Sequence, residues 1–154
     1  MSFKIDFIHK LEYKIPIQGR DTLSILKISK ENFNDNTSLI NGVTLLFNAE
    51  ILWEEMWDIK ESHIRFNSNK ILYLLLESGS PLGCVWYNSS ELYNAFVSKE
   101  RRDGDSAWFI QETMWDMKQE YNLEQINLCV DDWNQRAIKF WKKLGFEFEP
   151  FFNY

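Results

Sequence analysis

Two kinds of apolar pattern alternate along the chain, and the period of each predicts an element. Near the start, FKIDFIHKLEYKI partly alternates and TLSILKIS forms a second extended run, with PIQGRD as the turn between them. The stretch ENFNDNTSLING, residues 31–42, is rich in Asn, Asp and Ser and reads as a loop. From about 43 to 66 the period lengthens. Ala49, Leu52, Trp53, Met56 and Ile59 or Lys60 recur at three- and four-residue steps, with Glu54, Glu55, Asp58 and Glu61 on the other faces, which predicts an amphipathic helix. Three strand-like runs follow, ILYLLLE (71–77), GCVWYN (83–88) and ELYNAFV (91–97). The turns between them, SGSPLG and SS, are short, so an antiparallel meander is expected.

The charged segment SKERRDGDS then leads into AWFIQETMWDMKQEY, where Ala107, Ile110, Met114, Met117 and Tyr121 mark one helix face. QINLCV (125–130) is a buried strand. Asp132 is the expected N-cap of a last helix, with Gln135 three residues on as its capping-box partner. Ala137, Phe140, Trp141 and Leu144 form the inner stripe of that helix, and Gly145 stands where a left-handed C-terminal cap is wanted. FEFEPFF alternates as an edge strand would. The order is β-β-α-β-β-β-α-β-α-β, an α/β (α+β) chain with a mixed sheet. The strand–helix–strand unit over 91–130 predicts two parallel strands.

With 154 residues, 45 % of them hydrophobic and 26 % charged, the chain suits one globular domain. Its net charge of −6 argues against general nucleic-acid binding, which needs clustered Lys and Arg. It fits a cationic acceptor weakly, since acidity most often serves solubility. Aromatic residues reach 16 %, enough to fill a core or to line a cleft. Cys84 and Cys129 both lie in strand-like runs and read as buried free thiols of a reducing compartment. They do not make a zinc spacing with His9 and His63. MSFKIDFIHK has no signal-peptide core, and ILYLLL is far short of a membrane span, so a cytoplasmic protein is expected.

NQRAIKFWKKLGF resembles a segment of the GNAT N-acetyltransferases, whose usual spelling is Asn-x-x-Ala-x-x-Phe-Tyr-x-Lys-x-Gly-Phe. Asn134, Ala137, Phe140, Lys143, Gly145 and Phe146 match in place, and Trp141 stands where the family usually has Tyr. A second family motif, Arg or Gln-x-x-Gly-x-Gly or Ala before a helix, fits in two ways. Arg101-x-x-Gly104-x-Ser106 keeps the glycine, and Arg102-x-x-Asp105-x-Ala107 fits the helix length better. The resemblance covers about 70 to 148. It implies a single domain over 1–154, with residues 1–30 as added N-terminal strands and 91–146 as an acetyl-CoA-binding core. The implied fold is a GNAT-like, mostly antiparallel central sheet with helices on both faces. The family's fourth and fifth strands, which fall here at 91–97 and 125–130, splay at a bulge, and acetyl-CoA lies in the gap.

The resemblance further implies a cofactor site. A loop entering a helix presents unpaired N–H groups and the positive end of the dipole, which suits a pyrophosphate. Backbone from Arg102, Asp103, Gly104, Asp105 and Ser106 to Ala107 is expected there, with Arg101 nearby. Phe96, Val97 and Ser98 are expected to pair with pantetheine as a strand would, Asn134 to reach the CoA arm, and Phe140 and Lys143 to lie near its far part. Asp103 and Asp105 have a second reading, as helix-start caps that would compete with phosphate. Glu91 and Asp131 are candidate bases for a primary amine, each also explicable as an ordinary strand-end charge. Tyr87, Tyr93 and Tyr121 are substitutes for the missing family Tyr that nothing in the sequence chooses between. The acceptor is a small-molecule or protein amine, with no nucleic acid and no membrane, on a monomer or homodimer. The alternative is a non-catalytic CoA-binding or interaction module.

Overall fold

The computed structural model describes residues 3–50, 70–98 and 103–148. Within them the elements are β1 (Lys4–His9), β2 (Leu23–Ile28), a 3-10 turn (Phe33–Asn36), α1 (Thr37–Glu50), β3 (Lys70–Glu77), β4 (Ser80–Asn88), β5 (Glu91–Val97), α2 (Asp103–Tyr121), β6 (Ile126–Asp131), α3 (Gln135–Leu144) and β7 (Glu147–Phe148). Among the described residues the elements follow the predicted order. One sheet runs β2-β3-β4-β5-β6-β1-β7. Every seam is antiparallel except β5–β6, which is parallel as the crossover required.

Each face of the sheet carries helices. Ile40 and Val43 of α1 pack on Leu72, Leu74, Cys84 and Trp86. On the opposite face Phe109, Ile110 and Met114 of α2, with Ile138, Trp141 and Leu144 of α3, cover Tyr73, Val85, Leu128 and Val130. The strands of β3 and β4 are buried almost end to end because both faces are covered, which is why ILYLLL reads as a continuous apolar run.

Several boundaries depart from the sequence reading. The loop expected over 31–42 ends early, and α1 begins at Thr37. Ile40 and Val43 pull this polar segment into a helix, and Gly42 lets it approach Pro81, whose Cγ would lie 3.1 Å from an added Cβ. The part of the expected 43–66 helix past residue 50, with Trp53 and Met56, lies outside the described residues, as does His63. The β3–β4 turn is only Ser78-Gly79, both with positive φ, so residues 80–82 belong to β4. Tyr121 is 44 % exposed rather than part of the α2 core face, and Gln111 and Thr113 are buried instead. Cys129 is exposed, not buried, because it points away from the helices while Ile126, Leu128 and Val130 point towards them. Both thiols are free.

The two N-terminal strands do not pair with each other. β2 forms one edge of the sheet, whereas β1 inserts between β6 and β7. Residues 10–22 connect them by running along α2 as a strap. The Ile15 N–H donates to Gln111 Oε1 at 2.8 Å, and the Gln111 amide donates back to the Ile15 carbonyl, so one buried side chain imitates a strand pair. Lys118 donates to the Leu11 carbonyl, and Lys14 pairs with Glu112 at 2.8 Å. Gly19 lies against the Trp108 ring, 2.4 Å from where a Cβ would be. At the start of the strap His9 is fully engaged. Its Nδ1 accepts the Leu11 N–H at 2.9 Å, so Nε2 carries the proton and donates to the Leu144 carbonyl at 3.2 Å.

Candidate functional site

The site begins with a register shift in β5. Asn88↔Glu91, Tyr87↔Leu92 and Trp86↔Tyr93 are in step, and then Cys84↔Phe96 and Gly83↔Val97 are one residue out. Asn94 and Ala95 therefore share Val85 as their opposite number, which is a β-bulge. Asn94 sits at φ +50°, a left-handed conformation that Asn tolerates better than most residues. The bulge puts Tyr93 and Phe96, three residues apart, on the same α1-facing side of the sheet.

The other edge of β5 is nearly free. Its ladder to β6 has the single pair Glu91↔Asn127, joined by the Asn127 N–H to the Ser90 carbonyl at 2.9 Å. Beyond that pair the two strands part. The Ser98 N–H still donates to the Leu82 carbonyl of β4 at 2.9 Å, so it is committed to the closed side. By strand alternation the neighbouring Val97 presents its N–H and C=O to the open side.

Two cavities occupy the opening and its continuation. One, of about 410 Å³, is lined by Ala95, Phe96 and Val97 of β5, Ser106 and Ile110 of α2, and Asn134, Ala137 and Trp141 of α3. The other, of about 480 Å³, lies between Ile15 and Ile17 of the strap, Gly104 and Ala107 of α2, and Lys139, Lys143 and Leu144 of α3. Arg136 and Phe140 line both, so the cavities flank a common wall. Among the described residues none of Arg136, Lys139 and Lys143 makes an ion pair.

The N-terminal turn of α2 opens onto this space. Gly104 has no positive φ, and an added Cβ there would meet nothing within 4 Å. Neither packing nor backbone conformation requires glycine at this helical position, which costs up to about 1 kcal/mol against alanine. What the missing side chain does leave is bare backbone facing the cavity. Asp105 does not compete for that space. It is 5 % exposed and turned to Arg20, which holds it by Nε to Oδ1 at 3.0 Å and by the second guanidinium N–H group to Oδ2 at 2.7 Å. The remaining arm of Arg20 reaches Glu77 at 2.6 Å. These two carboxylates, Asp105 first, hold the guanidinium pKa well above its ordinary value.

At the start of α3 the expected cap is corrected. The N-cap is Asn134, whose side-chain oxygen accepts the Ala137 N–H at 3.2 Å. Asp132 is drawn off by β1, its carboxylate accepting the Phe3 N–H at 3.3 Å. What Asn134 has left to offer the cavity is its NH₂ group. At the far end Gly145 adopts φ +110° against His9, whose Nε2 would lie 2.8 Å from an added Cβ, and Phe146 enters the core. Phe140, expected in the inner stripe, stands in the cavity wall instead, and Ile138 takes its place in the core.

The structure thus gathers Phe96, Val97, Gly104, Ser106, Ala107, Asn134, Phe140 and Lys143 around one opening. Ser98, Asp105 and both candidate bases stand apart from the lining. Glu91 is exposed at the closed end of the wedge, and Asp131 pairs with Lys4 at 2.8 Å. Arg101, Arg102 and the side chain of Asp103 lie outside the described residues. Of the tyrosines, Tyr87 is buried with its hydroxyl on Thr113 at 2.7 Å, Tyr93 stacks on Trp86, and Tyr121 ends α2. Trp141 is buried, edge-on to Phe140 and Phe146, and lines the first cavity. The bulge that the resemblance implied falls at Asn94–Ala95, a position the sequence reading did not name, and that reading missed the strap residues and Arg136 and Lys139. The last two were readable, since 136, 139, 140 and 143 fall on one helix face.

A β-sheet zipped on one side of a bulged strand and open on the other, with two helix N-termini at the opening, defines a cleft-bearing α/β class. Solved structures narrow it: the fold is that of the GNAT N-acetyltransferases. An aminoglycoside acetyltransferase from an uncultured soil metagenomic sample superposes with a TM-score of 0.63 at 18 % identity, covering 87 % of this chain and 96 % of that one. A second, also from an uncultured soil metagenomic sample, gives 0.60 at 20 % identity over 86 % and 95 % of the two chains. A GCN5-related N-acetyltransferase from Sphaerobacter thermophilus gives 0.66 at 10 % identity over 95 % and 48 %. No protein-family model and no curated protein matches the sequence.

Proposed function

We propose that the protein is an N-acetyltransferase that moves an acetyl group from acetyl-CoA to a primary amine by direct attack. The observation that carries this reading is the β5–β6 seam, reduced to one pair and opening onto a cavity floored by the first turns of α2 and α3. The lining residues fit the cosubstrate piece by piece. Val97 has backbone groups for the pantetheine amides. The bare amides around Gly104 suit a pyrophosphate, which supports placing the second family motif at Arg101-x-x-Gly104-x-Ser106. Arg136, Lys139 and Lys143 suit the outlying phosphate.

The chemistry asks little of the protein. The amine nitrogen forms the new bond to the thioester carbonyl carbon, the carbon–sulfur bond breaks, and the amine proton passes to a base. A backbone N–H of β5 beside the bulge would stabilise the oxyanion. Direct attack is favoured because no cysteine lines either cavity. Cys84 is sealed under β5, where burial pushes its thiol far up, and Cys129 is pushed up to about 11, first by its hydrogen bond to Asp6 and then by burial. The acceptor class is a cationic amine of a small molecule or a protein; one fold neighbour is an aminoglycoside acetyltransferase in complex with sisomicin.

One observation favours a second reading, a CoA-binding module without turnover. Among the described residues neither cavity is lined by an Asp, Glu, His, Cys or Tyr, and Trp141 cannot donate a titratable proton. Thermal unfolding with acetyl-CoA, followed by CoA release with a panel of amines, separates the readings. A raised midpoint with release supports the enzyme, a raised midpoint without release supports the module, and no shift at millimolar acetyl-CoA contradicts both.

A further inference from the structure

We infer that Arg20 is a positioning residue for cofactor binding, acting by holding the Asp105 carboxylate away from the anion site at the start of α2. The inference rests on the acetyl-CoA reading above and adds to it a residue from a distant part of the chain. An aspartate in the first turn of a helix ordinarily turns back on the free N–H groups, where its charge is favoured. A carboxylate so placed would occupy the amides that a phosphate needs and repel the phosphate itself. Here Asp105 follows Gly104 and precedes Ser106 and Ala107, all three of which line the cavities, while Asp105 does not. Its carboxylate is held on both oxygens by Arg20 in a fork geometry, which lysine could not reproduce.

The holding group is itself fixed. Arg20 is anchored by Glu77 at the end of β3, and the preceding Gly19 seats the strap against Trp108 so closely that no side chain fits. The strap, α2 and the end of β3 therefore meet at one guanidinium. With two carboxylates on it Arg20 is no spare cation for phosphate. Its effect on the site is to remove a negative charge, not to supply a positive one.

That distinction makes a double-mutant test possible. Acetyl-CoA affinity is measured by calorimetry on the wild type, Arg20→Met, Asp105→Asn and the double variant, with folding checked by circular dichroism. Arg20→Met is expected to weaken acetyl-CoA by about tenfold, the scale of one partly screened like charge beside a phosphate. The double variant is expected to return near wild-type affinity, because the charge that Arg20 restrained is gone. Pantetheine, which has no phosphate, should show no difference among the four proteins. An Arg20→Met protein that binds as wild type overturns the inference, as does a double variant as weak as Arg20→Met. If Arg20→Met does not fold, Asp105→Asn decides alone: affinity equal to or above wild type is expected, and a loss overturns the inference. Failure of the wild type itself to bind acetyl-CoA is a different result, and it removes the proposed function instead.

Discussion

Along one edge β5 is paired to β4 from Asn88↔Glu91 through to Gly83↔Val97, while along the other it touches β6 only at Glu91↔Asn127. The difference has a physical origin in what each strand meets past the bulge. Phe96 turns to the α1 side, where its ring meets Phe47 edge-on at 5.3 Å. β6 instead goes on pairing with β1, through Leu128↔Phe7 and Val130↔Ile5, and keeps its apolar side on α2 and α3. Each strand finds burial and backbone partners away from the seam, so the seam can stay open without orphaned apolar surface. A single inserted residue at Asn94–Ala95 starts the divergence, since a bulge bends its strand and adds twist.

Two glycines mark the two edges, and substituting them should separate stability from binding. Gly104→Trp, on the open side, is expected to fill the second cavity and abolish acetyl-CoA binding in calorimetry while the thermal midpoint stays near wild type. Gly104→Ala adds no clash and should raise stability by up to about 1 kcal/mol by helix propensity. Gly83→Ala, on the closed side, is expected to do the reverse. Its Cβ would lie 2.4 Å from the Phe96 carbonyl oxygen and 3.0 Å from Val97 Cα. Overpacking of that kind costs about 1–3 kcal/mol and should appear as a lower midpoint in chemical denaturation.

A smaller effect sharpens the role of Asn134. Loss of the cap in Asn134→Ala should cost about 1 kcal/mol of stability, whatever happens to the ligand. Asn134→Ser keeps an oxygen for the Ala137 N–H and drops the NH₂ group. Weaker acetyl-CoA binding by the serine protein at unchanged stability would assign the NH₂ to the ligand, and unchanged binding would leave Asn134 a cap alone.

The smallest expected effect is on pH. Burial lowers the pKa of His9 below the usual 6.5, helped slightly by Lys118, while the Leu144 hydrogen bond and Glu147 oppose it. A depressed folded-state pKa means that the unfolded chain binds the proton more readily. The His9 contribution is therefore present above about pH 6.5 and is lost as pH falls below that value. Melting midpoints between pH 7.5 and 5.5 should fall less in His9→Gln than in wild type; an equal fall would mean that other groups carry the acid sensitivity.

The element order was legible because it rests on local periods, 3.6 for α2 and α3 and 2 for FEFE. The GNAT resemblance was legible because it sits in a compact run from Asn134 to Phe146. What escaped the sequence depends on partners far along the chain. Asp132 and Asn134 are both good cap residues, and in the fold Asp132 accepts from the distant Phe3 N–H while Asn134 caps the helix. Nothing near Arg20 or Gln111 announces that the first will bind Asp105 and the second Ile15. The bulge did leave a trace, since Asn94-Ala95 breaks the apolar alternation of ELYNAFV with a residue prone to positive φ. Over 31–42 the Asn- and Ser-rich composition points to a loop, but burial of Ile40 and Val43 one turn apart holds residues from Thr37 on in a helix.

The central claim is that acetyl-CoA completes the open edge of β5, and amide hydrogen exchange with and without saturating acetyl-CoA tests it most directly. Exchange is expected to slow over residues 94–98 and 103–107 and to stay unchanged across β2, β3 and the first half of β4. Saturating acetyl-CoA that leaves 94–98 unprotected, or that protects the closed strands equally, would contradict it.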